Sequence, residues 1–145
     1  MAMFAMIALG VGEILGALLS GRVIDKYGKK AGVLLVLITM AIGFLFLFLV
    51  VIFYKFSVLT FFMTFFWGLY DSSLNNMCNC IYGFEFDSKI LPFSVSKLVK
   101  TLLIFIALML ATLVKEKTDY LIFFGVIAVF SFPASAKMLV FDFKN

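Results

Sequence analysis

Two acids stand inside apolar stretches of the sequence. Asp71, Asn75 and Asn79 recur at intervals of four residues, with Ser72 and Asn76 beside them. On a helix such spacing makes one polar stripe. A carboxylate near the centre of a bilayer costs about 2.5–3.5 kcal/mol on insertion scales, so the stripe should face a bundle interior or a water-filled cavity. Two uses fit it. The stripe lines a pathway in which Asp71 binds a cation or takes up a proton, or it is a buried amide ladder that holds helices together. Glu13 is the second acid, beside Gly12 and Gly16 in a Gly-x-x-x-Gly pair that Ser20 continues, with Ala17 and Gly21 on an adjacent row. Small residues at this spacing permit close helix packing. Packing accounts for the glycines but not for Glu13, which joins Asp71, Asn75 and Asn79 as a candidate for binding substrate or an ion. No intramembrane arginine is available to either acid, so one or both are expected to be protonated or to hold a cation.

The remaining reactive side chains exclude more than they suggest. With no histidine there is no imidazole proton shuttle and no His-based metal site. Cys78 and Cys80 are too few for a disulfide framework or a four-ligand zinc site, and they read as small buried hydrophobes. Lys97 and Lys100 lie near the start of a span, where snorkelling to the interface is the simple expectation and contact with a substrate the alternative. No nucleophile–base pair, phosphate-binding glycine loop or metal cluster is present, so neither enzyme activity nor a cofactor is expected.

The elements that carry these residues are membrane spans. Of the 145 residues, 65% are hydrophobic and 14% charged, against roughly 45–50% and about 25% in soluble domains. Residues 31–54 contain no charge, and about 20 apolar residues suffice to cross a bilayer as a helix. The chain divides into five spans at 2–21, 31–54, 57–82, 92–114 and 120–140, which predicts an all-α, polytopic helical membrane protein. Continuous apolar runs argue against a membrane β-barrel, whose strands alternate. Connections this short make antiparallel neighbours. Arg22, Lys26, Lys29, Lys30, Lys89, Lys97, Lys100, Lys137 and Lys144 fall on one side and Lys55, Lys115 and Lys117 on the other. Nine against three puts the first side, with the C-terminus, in the cytosol. The net charge of +4 is then that of loops at an anionic leaflet rather than of a nucleic-acid binder. An odd number of spans, opening in mid-helix, suggests that sequence upstream is missing.

The connection at 21–30 carries Gly21, Asp25, Lys26, Gly28, Lys29 and Lys30. This resembles the signature loop of the major facilitator superfamily: Gly, three residues, Asp, a basic residue, any residue, Gly and two basic residues. All six constrained positions match. Gly21 is expected to end a helix and allow close approach, and Gly28 to take the positive φ of a tight turn. Asp25 is expected to accept N–H bonds at a neighbouring helix N-terminus, and the lysines to hold the loop in the cytosol. The resemblance implies one six-helix half of a twelve-helix transporter. The third span has no internal arginine or lysine and the chain stops soon after its fifth, which favours helices eight to twelve, the C-terminal half.

A second stretch, Phe65-Phe66-Trp67-Gly68-Leu69-Tyr70-Asp71-Ser72-Ser73-Leu74-Asn75-Asn76, with Tyr82-Gly83, Leu91-Pro92-Phe93-Ser94 and Lys97, looks like the tenth helix of the uncoordinated-ninety-three-like (ion-channel-regulatory) branch. Residues 76–80 depart from that branch's Thr-Gln pairing. The resemblance implies an alternating-access transporter of a small solute or ion. Its partners would be the lipid bilayer and a missing N-terminal half or a second chain. The alternative it implies is a non-transporting regulator or escort of an ion channel or other membrane protein.

Overall fold

The computed structural model describes residues 2–53, 58–84, 90–112, 114 and 116–140. They form five helices, α1 (Ala2–Tyr27), α2 (Lys29–Phe53), α3 (Val58–Phe84), α4 (Ile90–Ala111) and α5 (Lys117–Val140), with no strand among the described residues. The protein is an all-α, polytopic membrane protein. Helices α1, α2, α4 and α5 are long and apolar enough to cross a membrane. Helix α3 has the length, 27 residues or about 40 Å, but its second half is too polar to qualify on composition. It packs along α1 and α2 and touches α4, while α5 packs on α2.

The first connection is shorter than the sequence suggests. Gly21 does not end a helix: α1 runs on to Tyr27 and only Gly28 leaves helical geometry, at φ 84°. Arginine and lysine are good helix formers, and Ile24 has a place to go, against the core of Val33, Val36 and Met77. The extra turns therefore stay helical. Gly21 makes no close approach either, since a Cβ there would meet nothing within 4 Å. Gly28 does take the expected left-handed turn. Its N–H donates to the Ile24 carbonyl at 2.9 Å, and its own carbonyl accepts the Gly32 N–H at 3.3 Å, closing α1 and opening α2.

Close packing is concentrated between α1 and α3. A Cβ on Gly12 would collide with the Phe65 carbonyl oxygen, one on Gly68 with that of Leu9, and one on Gly16 would lie 2.6 Å from that of Leu69. The Gly12–Gly16 pair thus serves the packing role its spacing predicts, and Gly68 supplies the matching gap on α3. Polar groups seal the same seam. Ser20 Oγ donates to the Gly16 carbonyl at 2.7 Å, and Asn76 Nδ2 reaches the Ala17 carbonyl at 3.1 Å and Ser20 Oγ at 2.9 Å. On the other side of α3, Trp67 meets Phe44 of α2 edge-on at 5.4 Å, and Phe44 continues to Phe132 of α5 at 5.9 Å.

Helix α4 differs from the others. None of its residues is buried. Although only a short connection joins α4 to α5, the two do not pack as neighbours. Short connections predict antiparallel pairs, and α1–α2 and α2–α3 comply. Helix α4 instead stands off the bundle, leaving an open groove of about 830 Å³ walled by α3, α4 and Ser131 of α5.

Candidate functional site

Asp71 is the middle residue of α3 (27 residues), and Lys100 is the eleventh of the 22 residues of α4. Both therefore lie at the middle of their helices, with Lys100 about 15 Å from the start of α4 at 1.5 Å per residue. They meet. Lys100 Nζ lies 3.4 Å from Asp71 Oδ1 and donates to Asn75 Oδ1 at 2.9 Å. Asn75 Nδ2 in turn donates to Asp71 Oδ2 at 2.9 Å, one turn away on the same helix. The amide thus accepts from the ammonium and donates to the carboxylate, closing a ring of three side chains.

This arrangement corrects two sequence expectations. Asp71 has a basic partner, supplied by lysine rather than arginine and by the next helix rather than its own. Lys100 does not snorkel to the interface; its side chain turns instead to Asn75, at 2.9 Å, and Asp71, at 3.4 Å. An isolated charge in hydrocarbon costs a few kcal/mol, and each ion here relieves the other. The pair is not sealed, however. Both side chains are 42% exposed, and Lys100 lines the groove between α3 and α4.

The stripe of Asp71, Asn75 and Asn79 is only partly assembled. Asn75 joins Asp71, whereas Asn79 is exposed and makes no hydrogen bond among the described residues. The amide that glues helices is Asn76, one residue further round, facing α1. The pathway and ladder readings of the stripe are thus divided between adjacent asparagines. Glu13 is also placed apart. It is exposed on α1, and no described residue hydrogen-bonds to its carboxylate. The α1 face that meets α3 is taken by Gly12, Gly16 and Ser20.

Towards the α3–α4 connection, Tyr82 Oη and Ser96 Oγ share a hydrogen bond of 2.6 Å, and Tyr82 meets the ring of Phe93 edge-on at 5.9 Å. With the Lys100 contacts, this ties α4 to α3 among the described residues. Lys97 lies over the Phe93 ring at 5.5 Å. Sequence reasoning missed this tie. Cys78 lines the groove, and both Cys78 and Cys80 are free, half-buried thiols. Among the described residues no group of three metal-ligating side chains assembles.

The signature-loop residues divide in the same way. Lys26 lies over Tyr27 at 5.3 Å, and Lys29 lies over Phe84 at 5.7 Å, joining the start of α2 to the end of α3. Lys30 is exposed. Asp25 is exposed as well and accepts no hydrogen bond from a described residue. The expected contact with a helix N-terminus is not made, because α1 stays helical past Asp25 and carries it on an outer face. No protein-family model, curated protein or solved structure matches the chain.

Proposed function

We propose that this chain is part of a secondary transporter of the major facilitator type, of the uncoordinated-ninety-three-like branch, that moves a small solute or ion by alternating access. It works as a carrier and not as an enzyme. The observation that supports this most is the ring of Asp71, Asn75 and Lys100 beside an open groove at mid-span. Charges that serve only architecture are best enclosed, whereas intramembrane charges beside a cavity mark ion and substrate paths. The turn at Gly28, with lysines on both sides, fits the resemblance of residues 21–30 to the superfamily loop.

In this reading Lys100 is a tethered counter-ion for Asp71. A cation or proton arriving at the carboxylate breaks its ion pair with the ammonium and weakens the tie of α4 to α3, leaving Lys100 held by Asn75. A midplane site of this kind works between two halves, so the missing N-terminal half or a second chain completes it within the bilayer, with the C-terminus in the cytosol. The test is flux of protons and sodium into liposomes containing the full-length protein, followed with entrapped ion-sensitive dyes. Asp71→Asn abolishes flux while the protein still inserts, and Glu13→Gln, away from the ring, retains it. Full tolerance of Asp71→Asn sinks transport through this site and leaves the regulator alternative standing.

A further inference from the structure

Glu13 has no part in the ring at Asp71, yet it lies just as deep. It is the twelfth of the 26 residues of α1. The seam with α3 fixes the same depth independently: a Cβ on Gly68, one turn before Asp71, would lie 3.2 Å from the Glu13 backbone nitrogen. The Glu13 side chain is exposed, and no described cation pairs with it. Lys100, the mid-span lysine, is held by Asp71 and Asn75. Along α1 the nearest basic residue towards the turn is Arg22, nine residues or about 13 Å away. An ionisable side chain at mid-membrane faces a protein interior or a water-filled cavity and pairs there.

The residues beside Glu13 favour a facing helix over a water path. One turn away on α1 stand Leu9, Gly10, Gly16 and Ala17, none with a polar side chain. Leu9 and Gly16 belong to the seam with α3, whereas Gly10 and Ala17 look outward. A Cβ on Gly10 would meet nothing within 4 Å, and Ala17 is exposed. A water path needs further polar groups beside the acid; a facing helix needs small residues there, so that its backbone comes close.

We propose that this outer face of α1 docks a transmembrane helix of another protein, which brings a lysine or arginine to Glu13. Charge selects the occupant. A purely apolar helix leaves the carboxylate as unpaired as lipid does. A second copy fails on the same ground. A two-fold contact of α1 with α1 sets Glu13 against Glu13, and the mid-span lysine of a second copy is held within that copy. The inference goes beyond the transport reading and does not draw on it, because Glu13 stands apart from the ring and its groove.

The probe is a synthetic leucine–alanine peptide of about 23 residues, with lysine at its centre and a photoreactive leucine one turn away. It is irradiated with the full-length protein in nanodiscs holding one copy, and cross-linked peptides are mapped by mass spectrometry. Labelling is expected on α1 within residues 6–20, about tenfold above that of a twin peptide with leucine at its centre. Glu13→Gln removes that advantage. Ala17→Phe, which keeps the acid but blocks the approach, lowers labelling as well, and Asp71→Asn leaves it unchanged. Equal labelling by the two peptides overturns the proposal, as does labelling indifferent to Glu13→Gln and Ala17→Phe. Labelling that follows Asp71→Asn instead places the lysine at the ring and overturns it too. So does labelling that vanishes in discs holding two copies, which puts a second copy on this face.

Discussion

Replacing Gly16 by alanine tests the seam on which the bundle rests. The new Cβ would stand 2.6 Å from the Leu69 carbonyl oxygen and 3.0 Å from the Leu69 Cα, where ordinary contact begins near about 3.4 Å. The obstacle is backbone, which cannot rotate aside, so α1 and α3 must separate by roughly 0.8 Å. A radial gap of about 0.5–1 Å forfeits a quarter to a half of each dispersion contact across it. The Ser73 hydroxyl bond to the Gly16 carbonyl, already 3.5 Å long, is lost outright. Overpacking of this kind costs about 1–3 kcal/mol, and alanine returns up to about 1 kcal/mol in helix propensity. The net expectation is a destabilisation of about 1–2 kcal/mol. Gly21→Ala is the matched control. It lies in the same helix with open space around the added methyl, and should be neutral or stabilising by up to about 1 kcal/mol. Unfolding in detergent, followed by a dye that reacts with the half-buried thiols of Cys78 and Cys80, measures both. A Gly16→Ala protein as stable as the parent, with Gly21→Ala the weaker of the two, would refute the assignment of the α1–α3 contact.

Other substitutions separate neighbouring residues that look alike in the sequence. Gly28→Ala is expected to cost about 1–2 kcal/mol in the same assay, because an L side chain resists the left-handed conformation; Gly28→Asn should cost less, since asparagine tolerates it. Asn76→Ala removes two hydrogen bonds to α1 and should destabilise by about 0.6–1.7 kcal/mol, the range of interhelical bonds in membranes. Asn79→Ala, exposed and apart, should stay within about 0.5 kcal/mol of the parent.

What the sequence made legible was whatever depends on spacing along one helix. The all-apolar run at 31–54 marks a span by itself, and the Gly12–Gly16 interval marks a close contact because one face of one helix suffices to define it. The partner of that face did not follow, since Gly68 is a lone glycine whose meaning depends on lying opposite Leu9. Asp71 was identifiable as a mid-membrane charge, and Asn75 as its neighbour one turn on. The division of labour between Asn75 and Asn76 was not. These residues lie about 100° apart on the helix, and only the positions of α1 and α4 decide which amide glues and which joins the ion pair. Lys100 was hidden for a similar reason. A lysine eight residues after a helix-starting proline reads as interfacial until the opposite helix is seen to hold an aspartate at the same depth. The helical course of residues 22–27 was obscured by charges that mimic a loop, because the apolar contact that keeps them helical, Ile24 on Val33, Val36 and Met77, lies across a turn.

The meeting of Asp71 and Lys100 is the centre of this account, and a double-mutant cycle measures it directly. Asp71→Asn, Lys100→Gln and the double variant are unfolded in the same detergent, and the coupling is the departure from additivity. For a pair whose side chains are 42% exposed, screening holds the expected coupling to about 0.5–1 kcal/mol. That value, with the double variant more stable than the two single losses sum to, is the result predicted. Strict additivity would mean that the two charges do not meet at mid-span, and would contradict the site itself.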